Sequence, residues 1–426
     1  MKGRVLFLLI AAILILRCFN AVFFPILHCE DGTEMLAFYA NHPAPSGILH
    51  FYAGYRSVLP NLLGFLATSL LPLYIAPYVM VACSLAFATA ALGLFSLDRY
   101  RFIMPDDTSR AWVCLILALV PLGNHALSTN LTYSIWNLFA ISLLLVVAPA
   151  PRTSLGRVVQ YGFLGLAIFS QPLSLILLPI CLVLLVVRPS VPDRIANVGI
   201  SVGCTLYALV GIRPAGNFVP SDLPAVLSAT SRNLLHRVVF EPLLGESLRG
   251  LLYRTHHSWI VDVVAICVLV LIAVAILRSG LPGVNHELAV CGIAAFVMIS
   301  ATVISVVGRS MAQEIEISPP WAHRYFYVQQ LAFVFLAALC VVGLARGRSP
   351  GRAAKAVLVA LVSGYVCYLT VADGDHFATS RAQGLETLHF LRKADVALAR
   401  SKGEEPGRRR LVMNRGGHWD IVIDVR

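Results

Sequence analysis

The sequence is short of charged residues. Asp, Glu, Lys and Arg make up only 13% of the 426 residues, while hydrophobic residues make up 58%. Soluble globular domains have about 25% charged and about 45–50% apolar residues, so the composition argues against a soluble enzyme. The apolar residues gather in stretches of roughly 17–25, a length typical of membrane-spanning helices. We therefore predict a polytopic membrane protein.

Several motifs are also absent. No Walker A or GxGxxG sequence precedes a predicted helix, which argues against an ATP-driven pump and a nucleotide-sugar enzyme of the Rossmann type. The ten cysteines lack metal-ligand spacing and nine lie in apolar segments, so we predict neither a metal cluster nor a disulfide framework. The net charge of +11 is spread over short loops, so no nucleic-acid partner is expected.

Eleven apolar runs are candidate membrane spans. Their approximate limits are 5–24, 77–97, 111–123, 133–149, 157–170, 173–188, 195–212, 259–278, 287–308, 325–345 and 354–372. If the N-terminus is cytoplasmic, most arginine-containing loops fall inside, as the positive-inside rule expects. That arrangement requires residues 57–71 to form a helix in the outer interface rather than a span.

The predicted fold class is all-α, a bundle of about 11 transmembrane helices over residues 1–372 with outer-interface helices. The predicted outer loops are 25–76, 213–258 and 309–324. Residues 373–426 are predicted to form a small extracytoplasmic tail. A helical pattern covers 379–400, and a Gly-Gly turn between two short apolar stretches predicts a β-hairpin at the end.

Three carboxylates, Glu30, Asp31 and Glu34, follow the first apolar run. One interpretation is that they cap an interface helix, since acids favour a helix N-terminus. The other is that a partly desolvated carboxylate has the raised pKa of a general base. Asp31 and Glu30 are therefore the candidate catalytic residues. Asp31 is preferred because Gly32 beside it would let a substrate approach closely, and Glu34 is interpreted as a helix-capping charge.

Candidate substrate-binding residues lie in three patches on the predicted outer side. They are Tyr52, Tyr55 and Arg56 in the first; His125, Asn130, Trp136 and Asn137 in the second, with Gln171 in a similar polar break; and His323, Arg324 and Tyr325 in the third. Interface aromatics, helix–helix hydrogen bonds and snorkelling arginines are the alternative interpretations. An arginine fork also suits a phosphate.

The order and spacing of these motifs resemble the GT-C superfamily of integral-membrane glycosyltransferases. More narrowly, "EDGTEML", "FYAGYRSVLPNLL", "NHALSTNLTYSIWNLF", "FSQPLSLILLP" and "HRYFYV" resemble a bacterial branch with an EDG motif. The resemblance covers about residues 1–345 and implies a GT-C-like bundle in the bacterial inner membrane, with a cytoplasmic N-terminus and an extracytoplasmic C-terminus.

The resemblance also implies a reaction, the inverting transfer of a hexosyl or pentosyl group. A polyprenyl-phosphate sugar would be the donor, and a cell-envelope glycan or lipid the acceptor. Asp31 or Glu30 would deprotonate the acceptor hydroxyl, and Arg324, with His323 or Arg56, would stabilise the leaving phosphate. Some members need a divalent cation such as Mg or Mn, and the sequence leaves this open.

Two alternatives belong to other classes of protein. A transporter, flippase or polymerase of lipid-linked polysaccharide should carry ionisable residues through the depth of several spans and show internal repeats. Here such residues are few, Arg17 and Asp262 being the clearest. A structural or assembly protein would not need three clustered polar patches. The pattern therefore favours an interfacial enzyme.

Overall fold

A computed structural model describes residues 3–27, 30–52, 54–120, 122, 126–187, 191–212, 223–278, 285–308, 325–347, 376–401, 409–413 and 420–425. Most of these residues are helical. The α-helices are α1 Gly3–Arg17, α2 Phe19–Phe23, α3 Phe38–Asn41, α4 Val58–Leu70, α5 Ala76–Gly93, α6 Asp107–Leu119, α7 Ala126–Thr129, α8 Ser134–Val147, α9 Ser154–Ile168, α10 Leu177–Val187, α11 Val191–Val210, α12 Leu223–Asn233, α13 Glu241–Leu244, α14 Glu246–Arg254, α15 Ser258–Arg278, α16 Asn285–Gly308, α17 Tyr327–Gly347 and α18 His376–Ser401.

The remaining elements are short. Two seven-residue π-helices are π1, Asp31–Ala37, and π2, Leu234–Phe240. Turns of 3-10 helix cover Pro45–Leu49, Leu94–Ser96, Asp98–Tyr100 and Pro172–Ile176. The strands β1 Phe51–Tyr52 and β2 Tyr55–Arg56 form one antiparallel pair, and β3 Arg409–Met413 and β4 Ile421–Val425 form another.

The chain divides into two compact units. Unit 1 comprises Met1–Ile10, Leu92–Asn124 and Ala215–Gly374, and unit 2 comprises Ala11–Ala91, His125–Pro214 and Asp375–Arg426. Each is described below by itself.

The predicted bundle of about 11 membrane-spanning helices is wrong. In the described part of the chain, one helical stretch, Ala76–Ser96, is long and apolar enough to cross a bilayer. A second is added only if Ser154–Ile168 and Pro172–Val186, bent by 114°, count as one broken span. Five further helices contain apolar stretches of 10–17 residues, which are Val58–Leu70, Ser134–Val147, Ser258–Val274, Val290–Val306 and Tyr327–Val342. These stretches are shorter than the roughly 20 apolar residues that a crossing needs. One or two such helices do not establish a multi-pass membrane protein.

The discrepancy has local causes, because one apolar run is interrupted within itself and two adjacent runs meet at a sharp bend. The run 5–24 is split at Cys18, between α1 and α2. The runs 157–170 and 173–188 are separated at Gln171, whose backbone is extended before Pro172. Proline disfavours helical backbone in the preceding residue and removes a helical N–H. The predicted span 354–372 lies outside the described residues.

In unit 2 the end of the chain packs against the segment that follows α2. The helix α18 covers the predicted helical segment 379–400, and β3 and β4 are the two strands of the predicted hairpin. The Asn41 side chain brackets β4, since its Nδ2 donates to the Val422 carbonyl at 2.9 Å and its Oδ1 accepts from the Asp424 N–H at 2.8 Å. The terminal hairpin is therefore hydrogen-bonded to the first predicted outer loop, 25–76.

A carboxylate on α18 fixes the start of α5. The Asp395 oxygens accept the backbone N–H groups of Leu73, at 2.9 Å, and Tyr74, at 3.2 Å. These N–H groups precede α5, where no helical carbonyl is available to them. The residues 57–71, predicted to form a helix that does not cross, contain α4, which has 13 residues.

Unit 1 contains α6, whose N-terminus is capped by Asp106. The Asp106 carboxylate accepts the Ser109 N–H at 2.7 Å, the usual geometry of an N-cap. One turn later, Arg110 is buried and its guanidinium donates to the carbonyls of Met104 and Pro105 and to Asp107. This arginine is satisfied by its own loop and has a structural role.

Candidate functional site

Asp31 is held by the turn at residues 131–133, which follows Asn130 of the second predicted patch. Its side chain is only 3% exposed, yet three donors surround the carboxylate. Oδ2 accepts the Leu131 N–H at 2.7 Å, and Oδ1 accepts both the Thr132 N–H at 2.8 Å and the Thr132 hydroxyl at 2.7 Å. These contacts connect residues about one hundred positions apart in sequence. The turn that follows α7 therefore points the N–H groups of Leu131 and Thr132 at the Asp31 carboxylate.

Glu30 reaches the same turn through a different side chain. Its Oε2 accepts the Tyr133 hydroxyl at 2.8 Å, and Glu30 is 2% exposed. Asn130 holds the turn from within, since its Oδ1 accepts the Tyr133 N–H at 3.0 Å. The Asn137 amide donates to the Leu127 carbonyl at 2.9 Å and ties α8 to α7. Both candidate catalytic acids are thus held by the second patch.

The backbone that carries the acids is a π-helix. Glu30 precedes π1 and Asp31 begins it. Such segments are rare and often occur at functional sites, because the wider turn redirects side chains. The helix α4 packs closely on π1 at Gly64, where an added Cβ would lie 3.1 Å from the Met35 sulfur.

The surroundings of Asp31 give it the pKa of a base that works near neutral pH. Burial raises its pKa to about 6, against the lowering effect of the hydrogen bonds from Thr132 and Leu131, and the neighbouring Glu30 adds a further rise. The ordinary value for an aspartate is about 3.9. Burial also raises the pKa of Glu34, whose carboxylate lies 3.7 Å from the His50 ring. Glu34 lies in the first turn of π1, where an acidic side chain favours a helix N-terminus.

The reason given for preferring Asp31 over Glu30 is wrong. We expected Gly32 to let a substrate approach, but Ile421 of β4 occupies that space. A Cβ added at Gly32 would lie 2.9 Å from Ile421 Cδ1. The glycine is therefore required by the packing of the terminal hairpin, and the preference for Asp31 now depends on its hydrogen bonds and its raised pKa.

Two other predicted residues lie beside the N-terminus of α4. The Arg56 guanidinium lies 4.4 Å from the Phe51 ring centre, and its Nε has no hydrogen-bond acceptor within the described residues. Gln171 is 1% exposed, and neither atom of its amide has a partner in that same set. The two are linked through α4, since the Leu59 N–H donates to Ser170 Oγ at 2.8 Å.

The other predicted binding residues are partly described. Tyr52 pairs with Tyr55 across the β1–β2 ladder, although the Tyr52 side chain is outside the described set. The indole of Trp136 is buried at the start of α8. Tyr325 belongs to unit 1, and its carbonyl accepts from Ser305 Oγ and Gln329 Nε2, both at 2.8 Å.

The remaining predicted site residues, His125, His323 and Arg324, lie outside the described residues. The structure therefore joins the two candidate acids, Glu30 and Asp31, to the turn beside the second patch, and the third patch stays a prediction. Within the described part of the chain, no group of three or more His, Cys, Asp or Glu side chains is arranged to hold a metal ion.

A buried charged cluster in unit 1 was missed in the sequence. It comprises His236 and Arg237 on π2, Glu241 on α13 and Arg249 on α14. All four are buried. The available signal was their density: these four residues and Glu246, five ionisable side chains, lie within fourteen positions of a chain with 13% charged residues. A loop arginine is usually solvent-exposed, which is why the segment 213–258 yielded no candidate.

Searches against protein-family models, curated proteins and solved structures return no match.

Proposed function

We propose that this protein is an inverting glycosyltransferase that moves a sugar from a polyprenyl-phosphate donor to a cell-envelope glycan or lipid acceptor at the outer face of a bacterial inner membrane. The observation that carries the proposal is the Asp31 carboxylate: buried, oriented by three hydrogen bonds, and with a pKa raised to about 6. General bases are most effective when their pKa lies near the working pH.

The hydrogen bonds indicate which oxygen would take the proton. A carboxylate has about four lone-pair positions. Oδ1 accepts two hydrogen bonds and Oδ2 accepts one. The fourth position, on Oδ2, is the one left for an acceptor hydroxyl. Because Asp31 is almost fully buried, the hydroxyl has to displace part of the packing around it to come within about 2.6–3.2 Å.

In the proposed reaction, Asp31 Oδ2 removes the proton of the acceptor hydroxyl. The hydroxyl oxygen attacks the anomeric carbon from the side opposite the phosphate, and the bond between that carbon and the phosphate oxygen breaks with its electron pair. Inversion follows from the single displacement. A guanidinium would stabilise the negative charge that develops on the leaving phosphate, and Arg56 and Arg324 are the candidates.

Gln171 supports a sugar substrate. Its buried amide offers a donor and an acceptor, neither of which has a partner among the described residues, and sugar hydroxyls supply both kinds of group. Leaving a buried amide unsatisfied costs about 1–3 kcal/mol, so a bound hydroxyl pair would recover that cost. Gln171 is therefore proposed to orient the donor or acceptor sugar.

The test is transfer from radiolabelled polyprenyl-phosphate hexoses and pentoses to an envelope glycan and lipid fraction in reconstituted membranes. Asp31→Asn should reduce turnover by about 10²–10⁴, the usual contribution of a general base. Its amide would face the Leu131 N–H, so thermal unfolding must first show that the variant is folded. Glu30→Gln, which keeps an acceptor for Tyr133, is the matched control and should retain most activity.

A second variant separates a catalytic role from a structural one. Thr132→Val removes a hydrogen bond that lowers the pKa of Asp31. Activity that needs the ionised carboxylate falls as the pH drops through about 6, and this acid limb should move to higher pH in Thr132→Val. Full turnover in Asp31→Asn, or an acid limb unmoved in Thr132→Val, contradicts the general-base role.

A further inference from the structure

Unit 1 buries two arginines and one glutamate at the junction of π2, α13 and α14. Arg237, Glu241 and Arg249 are 1%, 7% and 4% exposed. Arg249 Nε lies 2.7 Å from Glu241 Oε1, which is the distance of a close ion pair. Arg237 Nη1 lies 3.9 Å from the same oxygen, too far for a hydrogen bond. Among these buried groups one carboxylate faces two guanidinium groups, which is an excess of one positive charge. The exposed Glu246 on α14 also attracts Arg237 electrostatically, but from the solvent side.

The arginine that carries this excess charge is Arg237. Its Nη1 and Nη2 atoms are buried and have no hydrogen-bond acceptor within the described residues. The guanidinium instead faces the Phe326 ring, 5.3 Å from its centre. An isolated buried charge is costly in a protein interior unless a partner compensates it. Burial lowers the pKa of Arg237, but a guanidinium stays protonated in proteins.

The polar neighbours of Arg237 are engaged elsewhere. The Gln330 amide nitrogen donates to the Arg237 carbonyl at 2.9 Å and to Glu241 Oε2 at 3.3 Å. Asp262 accepts from Nε2 of the adjacent His236 at 2.7 Å, and the other ring nitrogen of His236 bonds to the Tyr253 hydroxyl. Neither Gln330 nor Asp262 therefore supplies the missing acceptor.

We infer that Arg237 binds a phosphate group, with its two Nη atoms donating to two phosphate oxygens. The planar guanidinium fork matches phosphate in this bidentate way. A phosphodiester carries one negative charge, equal to the excess charge of the buried cluster. The ligand is therefore either such a phosphodiester, in the headgroup of an anionic phospholipid, or free inorganic phosphate, which carries one negative charge as dihydrogen phosphate. The inference is independent of the proposed glycosyl transfer, because Asp31 and its contacts lie in unit 2.

The test measures thermal unfolding of the purified full-length protein in neutral detergent. The first arm adds inorganic phosphate against sodium chloride of equal ionic strength. The second adds phosphatidylglycerol or phosphatidylcholine in mixed micelles. The matched variant is Arg237→Met, which keeps much of the side-chain length without charge. Phosphate stabilises proteins generally by exclusion from their surface, so the result is the difference between wild type and variant.

We expect the melting temperature of the wild type to rise and saturate with phosphate, with phosphatidylglycerol, or with both. A response to phosphate alone identifies a free anion, and a response to phosphatidylglycerol alone identifies a headgroup. Arg237→Met should lose the saturable response and should melt no lower than the wild type without added anion, because no buried charge is left unpaired. Arg237→Lys, which keeps the charge without the fork, should bind phosphate about tenfold to a hundredfold more weakly.

Three outcomes overturn the inference. One is an equal rise in melting temperature with the added probe in the wild type and in Arg237→Met. If Arg237→Met does not fold, the same comparison is made between the wild type and Arg237→Lys. Another is a wild type that responds to neither probe. The third is a double variant, Glu314→Gln with Glu316→Gln, that destabilises the wild type but not Arg237→Met. In that case the counter-charge of Arg237 comes from the chain itself.

Discussion

The two π-helices handle buried charge in opposite ways. Both have seven residues, and each carries a charged side chain that is almost fully buried, Asp31 on π1 and Arg237 on π2. The Asp31 carboxylate accepts three hydrogen bonds, two of them from backbone N–H groups. The Nη atoms of Arg237 donate none to a described residue. The same backbone irregularity therefore positions one satisfied charge and one unsatisfied charge.

This difference indicates different tasks. A carboxylate that is oriented and satisfied by its own protein is ready to exchange a proton without reorganising its surroundings. Arg237 shares the Glu241 carboxylate with Arg249, so its guanidinium can still bind an anion. The comparison predicts that removing Glu241, the counter-ion shared by Arg237 and Arg249, lowers the free energy of unfolding most. Changing the protonation of Asp31 should lower it less.

The largest expected effect is that of Glu241→Gln. The change leaves Arg237 and Arg249 buried without a counter-charge, and breaking one side of a buried ion pair costs about 3–5 kcal/mol. We expect chemical unfolding of the variant at much lower denaturant, and a larger stabilisation by phosphate than in the wild type. Glu386→Gln, at an exposed glutamate on α18 outside the cluster, is the control and should unfold like the wild type. Wild-type stability in Glu241→Gln would mean that the cluster is already neutralised.

The second effect is the pH dependence that Asp31 gives to stability. Its pKa in the folded protein, about 6, is above the value of 3.8 expected in the unfolded chain. The folded state therefore binds more protons between these values, and stability is lost as the pH rises from about 4 to about 6. A difference of about two pKa units corresponds to about 3 kcal/mol.

The measurement is the free energy of unfolding of the wild type and Asp31→Asn at several pH values from 4 to 7. The decline over this interval should be much smaller in Asp31→Asn. Glu34→Gln should remove a smaller part of it, because the pKa of that half-buried carboxylate is raised in the same direction. Parallel curves for wild type and Asp31→Asn would rule out a raised pKa at Asp31.

The sequence predicts those features whose residues lie close together along the chain, and it does not predict contacts between distant residues. The terminal hairpin was predicted because a Gly-Gly turn and two short apolar stretches lie within about twenty residues. Glu30 and Asp31 were noticed because charge is scarce in this chain. Their hydrogen bonds to the turn around Thr132 cross about one hundred positions and leave no local pattern.

The errors have physical causes as well. Hydropathy counts apolar residues but does not weigh an extended residue before Pro172, so short and bent helices were interpreted as full spans. The burial of Arg237 depends on Phe326, Gln330 and Glu241, which come from separate parts of the sequence. Arginine side chains are usually exposed to solvent, so the burial of Arg237 can be recognised only from the residues that pack against it in the folded protein.

The smallest expected effect concerns the space beside Asp31. Gly32→Ala places a methyl group 2.9 Å from Ile421 Cδ1, and such overpacking costs about 1–3 kcal/mol, offset by up to about 1 kcal/mol of better helix propensity. Ile421→Ala removes both Cδ1 and Cγ1, which lie 2.9 and 3.0 Å from the added methyl, so the double variant should be more stable in chemical unfolding than the sum of the two single changes predicts. Gly162→Ala, on the exposed side of α9 with no atom within 4 Å of the added methyl, is the control and should be neutral or slightly stabilising. Additive effects of the two single changes would mean that the hairpin does not fill this space, and Gly32 would again be a place where a substrate approaches Asp31.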